Sequence, residues 1–477
     1  MRTNYISYLL ILCTILFVAC DDFLDVHPKT EVEGTDLFDD EDGFNDALNG
    51  LYIKMTSTSL YGRELTFGFL DVIGNCYYDA GIQTYSYAKD YDYANADVEY
   101  IINNIWIEGY NIIANANSLI ENIQDKDPSF FSNGNYNLIY GEALGIRAFM
   151  HLDLLRLFAP SLAYDPEAVG IPYVKAFSYN RTPSSSVTEC LDLVLQDLTE
   201  AAALLSEVDP VYLSSESTER YYYMNYYAVR ALMAQAYLWK GDNQNALLAA
   251  QEVINSTKYR WTASNALSTS SDESVDRTFT PETIFALQSN QIENNILGYL
   301  YGQSSDNTAP IFATHIDWLA SIFPTITHST DLRYSILFEA GGSEPNYMVS
   351  TKLWQKDSNG DDLRDEFIKR LPLIRLPEMY LICAEADIDN AAQYLNVIRH
   401  NRGVEAPVEL TTAPELYDEI LLEYYREYIT EGKLFYYSKR HNRQYIGGRS
   451  AYNLTAEFDT DNYTLPMPQQ EIEYGNR

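Results

Sequence analysis

The chain has 477 residues, enough for one large domain or about two to three ordinary ones. Its hydrophobic fraction of 46% is ordinary for a packed protein and argues against wholesale disorder. The 68 Asp and Glu outnumber the 32 Lys and Arg, and the resulting net charge of −36 argues against nucleic acid and anionic lipid surfaces as partners. Tyrosine is the second outlier, with 41 Tyr against 5 Trp. A tyrosine offers a flat apolar face and one polar tip, which suits a binding surface and equally suits packing between helices with the hydroxyl at the rim.

Residues 1–19 read MRTNYISYLLILCTILFVA, a positive end followed by an apolar run. A permanent membrane helix needs roughly 20 apolar residues, so this run is expected to be a removed secretory leader. The stretch Phe17-Val18-Ala19-Cys20 resembles a bacterial lipobox, with Phe17 where Leu is usual. The resemblance implies that Cys20 carries diacylglycerol on its thiol and a further fatty acid, such as palmitate, on its freed amine. Two or more chains give stable anchoring. Asp21 and Asp22 resemble the surface-export signal of Bacteroides-type lipoproteins, and residues 20–37 are expected to form a tether.

Apolar residues at three-to-four spacing predict helices over about 38–57, 98–123, 136–158 and 187–206. Ser186 and Glu189 have capping-box spacing at the start of the last of these. A helical pair follows at 221–240 and 242–256, broken at Gly241, and late helices are expected over about 372–388, 390–402 and 413–431. In the pair, Ala231, Ala234, Tyr237, Gly241, Ala246 and Ala250 resemble a tetratricopeptide repeat, and Tyr380, Ala384, Ala386, Ala391 and Ala392 sit at comparable places later. Residues 60–97 and 258–365 lack a helical period and are rich in Gly, Ser, Asn, Asp and Tyr, which predicts structured loops and short strands. Such segments on a rigid scaffold are where binding surfaces tend to lie.

The segment Ile139 to Pro166 carries Gly141, Glu142, Ala143, Arg147, Ala148, Phe149, Leu154, Arg156 and Phe158, and GIPYV follows at Gly170 to Val174. ETIFAL (Glu282 to Leu287), DLR (Asp331 to Arg333), IRLPE (Ile374 to Glu378), Asn396 to Gly403, Glu431-Gly432, Lys439-Arg440 and the Leu465 to Ile472 tail come in order. This series resembles the SusD/RagB family across the mature chain. It departs at Glu423-Tyr424-Tyr425-Arg426-Glu427 and at Phe435-Tyr436-Tyr437-Ser438, where the family more often has ER-x-x-E and a Trp-Phe-Asp element.

The resemblance implies a mainly α fold, in which tetratricopeptide-like helix pairs support a loop-rich irregular half. It implies one domain over 38–477, with an N-terminal part to about 257, an irregular ligand region to about 365 and C-terminal helices beyond. It further implies a lipid-anchored outer-membrane protein that binds an oligosaccharide without covalent chemistry and hands it to a SusC-like TonB-dependent barrel. A peptide ligand, as in the RagB branch, and a surface glycan hydrolase are the alternatives. No cofactor is expected.

Ligand contacts are expected in Gly74 to Tyr93, through Asn75, Tyr77, Tyr78, Asp79, Tyr85 and Tyr87, and later through Tyr299 and Tyr301. An aromatic face stacks on the C–H face of a sugar, while Asn and Asp bond its hydroxyls. The competing expectation for Tyr85 to Tyr93 is a strand with alternate residues buried.

Other constellations favour structure over chemistry. Glu142 with Arg147, and Glu427 or Glu431 with Arg399 or Arg402, are expected to be partly buried ion pairs. None of the six His forms an HExxH or a close pair, and His151 is expected to be satisfied on its helix. Lys433, Lys439, Arg440 and Arg443 form a basic cluster, read as a helix end complementing its dipole. Asp357, Asn359 and Asp361 start with calcium-loop spacing, but Asp362 and Ile368 replace the required Gly and Glu, so a plain turn is expected and no metal.

Overall fold

The computed structural model describes residues 37–77, 83–214, 220–267, 274–301, 311–341, 346–357, 360–444 and 458–474. The leader, Cys20, most of the tether, Tyr78, Asp79 and Asn359 lie outside the described residues. Helix α1 (Glu41–Met55) starts at Asp40, whose carboxylate accepts from Gly43 N at 2.9 Å. Helix α2 (Ala96–Gln124) runs for 29 residues and packs with α1 on α3 (Asn135–Phe158).

From Ile139 to Phe158 every residue of α3 is buried, so this helix is the axis of the N-terminal part. Its buried charged side chains are each held in an ion pair. Arg147 holds Asp197 with Nε at 2.7 Å and Nη2 at 2.9 Å, and Arg156 pairs with Asp153. Glu142 pairs with Arg220 and accepts from the Tyr52 hydroxyl, so its partner is not the expected Arg147. His151 is satisfied as expected: Nδ1 lies 2.9 Å from Arg147 O, Nε2 accepts from Val174 N at 3.0 Å, and burial depresses its pKa to about 3.

Helix α4 (Val187–Val208) opens with the anticipated capping box: Glu189 N donates to Ser186 Oγ, and Ser186 N donates back to the Glu189 carboxylate at 2.9 Å. Helices α5 (Tyr226–Lys240) and α6 (Asn243–Asn255) form the predicted pair. Gly241 sits between them at φ +80°, a left-handed position that ends α5. Ala231, Ala234, Ala246 and Ala250 are all buried, so the small residues let the two helices approach closely. A second pair, α7 (Leu376–Ala386) and α8 (Ala391–Asn401), packs on α6, and α9 (Ala413–Tyr428) and α10 (Leu434–Arg440) complete the scaffold.

The irregular half carries short strands. Thr283–Gln288 pairs antiparallel with Arg370–Arg375, and Tyr347–Ser350 lies between Ala313–His315 and Phe338–Ala340 in a three-stranded antiparallel sheet. The early irregular segment differs from expectation. Residues 58–68 form consecutive turns, and two short helices follow, Phe69–Ile73 and Gln83–Lys89. Tyr85 and Tyr87 therefore lie on a helix, and the strand alternative for Tyr85 to Tyr93 is corrected. The helix is set by tertiary burial of Tyr85 and Ala88, one turn apart, which outweighs the weak local pattern.

The family-like motifs converge on one buried ionic core. Glu427 accepts from Arg333 Nη1 at 3.0 Å, Arg375 Nη1 at 2.7 Å and Arg402 Nη2 at 2.8 Å. Glu282 accepts from two Arg402 nitrogens at 2.8 and 2.7 Å. Arg333 also takes Asp331 and Glu423, and Glu431 takes Arg375 and Lys352. Glu427 and Glu431 thus pair chiefly with arginines from distant segments. Arg402 is shared with Glu427, whereas Arg399 goes to Glu419. This core ties the irregular half to the C-terminal helices.

Candidate functional site

The two irregular segments meet at Phe312, which is fully buried. Tyr77 stacks on it at 4.7 Å between centroids and 13° between planes. Tyr85 meets it edge-on at 4.9 Å, and Tyr299 lies tilted at 5.3 Å. Tyr85 and Tyr299 are themselves edge-to-face at 6.1 Å. Each such pair is worth roughly 0.5–1.5 kcal/mol beyond its burial, so the cluster is a rigid floor.

A charged rim borders that floor. Arg63 places its guanidinium 5.1 Å from the Tyr299 centroid and donates from Nη1 to the Tyr299 hydroxyl at 3.3 Å. Its Nε donates to Glu64 at 2.8 Å. Glu64 is buried and also accepts from the Tyr85 hydroxyl at 3.0 Å and from Phe69 N at 3.0 Å. Burial raises the Glu64 pKa against the pull of Arg63 and these donors. The Arg63 side chain remains one-quarter exposed.

Under the floor, Tyr77 donates from its hydroxyl to Phe67 O at 2.8 Å. Asp71 accepts from Thr430 N at 2.6 Å and Gly432 N at 3.1 Å, which bolts the early segment to the turn after α9. Burial pushes the Asp71 carboxyl up to about 7, opposed by those two backbone donors.

Tyr77, Tyr85 and Tyr299 are thus brought together around Phe312. Tyr77 and Tyr85 are each only 3% exposed, so they form the floor and do not offer the free ring faces that stacking on a sugar requires. Asn75 is buried as well, in the left-handed region at φ 58°. Tyr87 is half-buried, and its hydroxyl accepts from Gln83 Nε2 at 2.7 Å. Tyr301 stands apart from the cluster, edge-on to Trp354 at 4.8 Å, and the Trp354 indole donates to Leu300 O at 3.0 Å. Residues that sequence reasoning missed are Arg63, Glu64, Phe312 and Trp354. The one available signal was Arg63, one of two cations, with Lys89, in a Tyr- and Gly-rich irregular segment. The groups at the surface are Arg63, Tyr87, Tyr299 and Tyr301, a set of ring edges, hydroxyls and one guanidinium.

The other constellations resolve into structure. The basic cluster disperses: Lys433 pairs with Glu378, Arg440 with Glu385 and Arg443 with Asp418. Lys439 is buried, donates to Leu157 O at 3.3 Å, and is held well below the usual lysine range by burial. Asp357 and Asp361 close a turn, with Asp361 N donating to Asp357 Oδ1 at 2.9 Å and Gly360 at φ +89°. His328, Glu419 and Glu423 place possible ligand atoms within 4.8 Å of one another. Those carboxylates already accept from Arg399, Arg426 and Arg333, so a divalent cation would have to share them with three guanidiniums. Among the described residues, no helix is long and apolar enough to cross a membrane.

Fold and site together define a helical-repeat scaffold that presents a loop-built aromatic face with a charged rim. A family profile described as starch-binding associating with outer membrane matches residues 22–238. SusD-like protein P2 of Formosa agariphila is 28% identical over 261 residues, covering 54% of this chain and 46% of that protein, so the match spans about half of the curated relative. A SusD superfamily protein from Bacteroides thetaiotaomicron superposes with a TM-score of 0.70 at 23% identity, covering 91% of this chain and 98% of that one. A SusD-like carbohydrate binding protein from Bacteroides vulgatus gives a TM-score of 0.71 at 18% identity, over 91% and 96% of the two chains. The N-terminal half is thus similar to a SusD-like family, and the fold is similar to that of SusD superfamily structures.

Proposed function

We propose that this protein captures an oligosaccharide at the outer cell surface and delivers it to a SusC-like TonB-dependent barrel, binding without chemical turnover. The observation that carries the reading is the junction of two distant segments at Phe312, bordered by the partly exposed Arg63 and Tyr299. The family description as starch-binding, and the carbohydrate-binding relative, support the ligand class. Asn75, Tyr77 and Tyr85 enter this reading as the floor that positions the rim, and Tyr78 and Asp79 remain proposed contacts.

The test is equilibrium binding to a panel of neutral glycans and short peptides. Arg63→Ala with Tyr299→Ala is expected to weaken glycan binding by roughly 1–3 kcal/mol, the usual cost of truncating an important interface group, with little change in melting temperature. Tyr77→Ala is a contrast, because removing a buried ring from the Phe312 cluster lowers the melting temperature itself. Unchanged affinity in the folded double variant removes this face from the site, and selective peptide binding moves the ligand class to peptide.

Anchoring and delivery are proposed from the sequence and the family. Cys20→Ala is expected to shift the protein out of the outer-membrane fraction, because one lost lipidation site removes every acyl chain at once. Unaltered fractionation refutes the anchor. Purification of the wild-type chain from gently solubilised outer membrane is expected to bring down a large β-barrel, and its consistent absence counts against the delivery role.

A further inference from the structure

We propose a second, separate saccharide site in the cleft where the C-terminal segment lies against the start of α2; this rests on the reading of the chain as a glycan binder. The cleft has a volume of about 560 Å³, within the range of ordinary small-molecule sites. It shares no lining residue with the Arg63–Tyr299 face.

The wall is built and held. The Tyr93 hydroxyl donates to Asn462 O at 2.8 Å, which fixes the tail on the early segment. Tyr164 donates to the Asp461 carboxylate, and Leu465 N donates to Leu157 O at 3.0 Å. Tyr463 is buried behind the wall, its hydroxyl on Arg443 O at 2.8 Å. The cleft is therefore shaped by tertiary bonds on both sides of the residues that line it.

Its chemistry selects a neutral polyol. Ile102, Pro466 and Met467 supply an apolar patch for the C–H face of a sugar ring. Glu99, Asn103, Thr464 and Gln469 supply amide, hydroxyl and carboxylate groups at its edge. A sugar hydroxyl both donates and accepts, and so do the amides and the Thr hydroxyl. Among the described residues, no side-chain hydrogen bond engages Glu99, Asn103 or Thr464, so these groups are available to a ligand. No Lys or Arg lines the cleft, while Glu99 and Asp461 do, and the whole chain carries −36, which excludes anionic sugars. Peptide capture by strand addition has no footing, since the walls are a helix and a strandless tail.

The experiment titrates maltotriose, cellotriose, xylotriose, mannotriose and galactotriose onto the mature chain by calorimetry and saturation-transfer NMR. Three variants are compared: Asn103→Ala with Gln469→Ala, Ala94→Trp to fill the cleft mouth, and Arg63→Ala with Tyr299→Ala. The expected result is two classes of site for at least one trisaccharide. Both cleft variants should weaken one class at least tenfold and leave the other within twofold, and the Arg63/Tyr299 variant should do the reverse. Loss of cleft binding with intact Arg63-face binding in the cleft variants supports the inference. If the Arg63/Tyr299 variant alone abolishes all binding, the inference falls while the first reading stands. If only the cleft variants lose binding, the inference stands and the first site falls. If no trisaccharide binds, both fall. Competition for the cleft by acetyl-Leu-Lys-Leu-amide, with no trisaccharide effect there, overturns the ligand class.

Discussion

Glu427→Ala is expected to cost about 3–5 kcal/mol, the range measured when one partner of a buried ion pair is removed. Whole domains are stable by only about 5–15 kcal/mol, so this one change removes a large share of the total. Glu427 has no solvent exposure, and three guanidiniums, from Arg333, Arg375 and Arg402, donate to it. Each arginine keeps another carboxylate after the substitution: Arg333 has Asp331 and Glu423, Arg375 has Glu431, and Arg402 has Glu282. What is lost is the balance, leaving one excess buried positive charge that no water reaches. Glu427→Gln keeps the shape and one acceptor oxygen, so it should fall between the parent and the Ala variant. Urea titration of the three proteins in parallel gives the comparison. A Gln variant as unstable as Ala shows that charge balance, not hydrogen-bond count, sets the cost, and an unaffected Ala variant refutes the argument.

The same core explains why a local failure would reach the binding face. Lys352 donates to Glu427 O at 2.5 Å, Ile429 O at 3.1 Å and the Glu431 carboxylate at 2.7 Å. These carbonyls flank the turn whose Thr430 and Gly432 amides hold Asp71. Asp71 lies beneath Tyr77, and Tyr77 stacks on Phe312. A continuous packed path therefore runs from the ionic core to the floor of the candidate site.

Much of the scaffold was legible because long amphipathic helices repeat one physical signal many times. The predicted 136–158 and observed Asn135–Phe158 agree almost to the residue, and Ser186, Glu189 and Gly241 act as the boundaries their chemistry dictates. The early irregular segment was not legible. Gln83–Lys89 is too short for a period to declare itself, and it is burial of Tyr85 on Phe312 that decides its conformation. Ion-pair partners failed for a geometric reason. Glu142 and Arg147 are five residues apart, which on a helix turns them about 140° away from each other. Glu142 instead meets Arg220, 78 residues later, a contact no local rule supplies. The candidate site shows the same limit: the tyrosines were visible as an excess, but their hub, Phe312, and their rim, Arg63, are set by the meeting of segments more than 200 residues apart.

Stability is expected to peak on the acid side of neutrality and to collapse between pH 4.5 and about 2. Burial pushes Glu423 upward, but Arg333, Arg426 and Arg399 outweigh it and hold it at about 2, against an ordinary 4.5. Glu427 and Glu431 are likewise depressed, burial being overcome by Arg402, Arg375 and Arg333 for the first and by Arg375 and Lys352 for the second. A carboxyl whose folded pKa is depressed contributes stability that is present above its unfolded pKa and is lost as pH falls through the folded one. These three therefore stabilise fully above pH 4.5 and fail together below it. Asp71 has the opposite sign. Burial raises it from 3.8 to about 7, so between those values the folded state holds a proton that the unfolded chain has released. Its contribution declines as pH rises through that window and is gone above it. Melting temperatures from pH 2 to 8 should show a steep acid limb and a shallower decline from about 5 to 7. Asp71→Asn, which cannot titrate, should flatten the second limb alone. Glu423→Gln should lower stability overall but make the first limb less steep, because one of the groups that must be protonated has already been replaced. A parent-like slope from 5 to 7 in Asp71→Asn would show that the Thr430 and Gly432 amides keep Asp71 ionised despite its burial, and that the decline has another source.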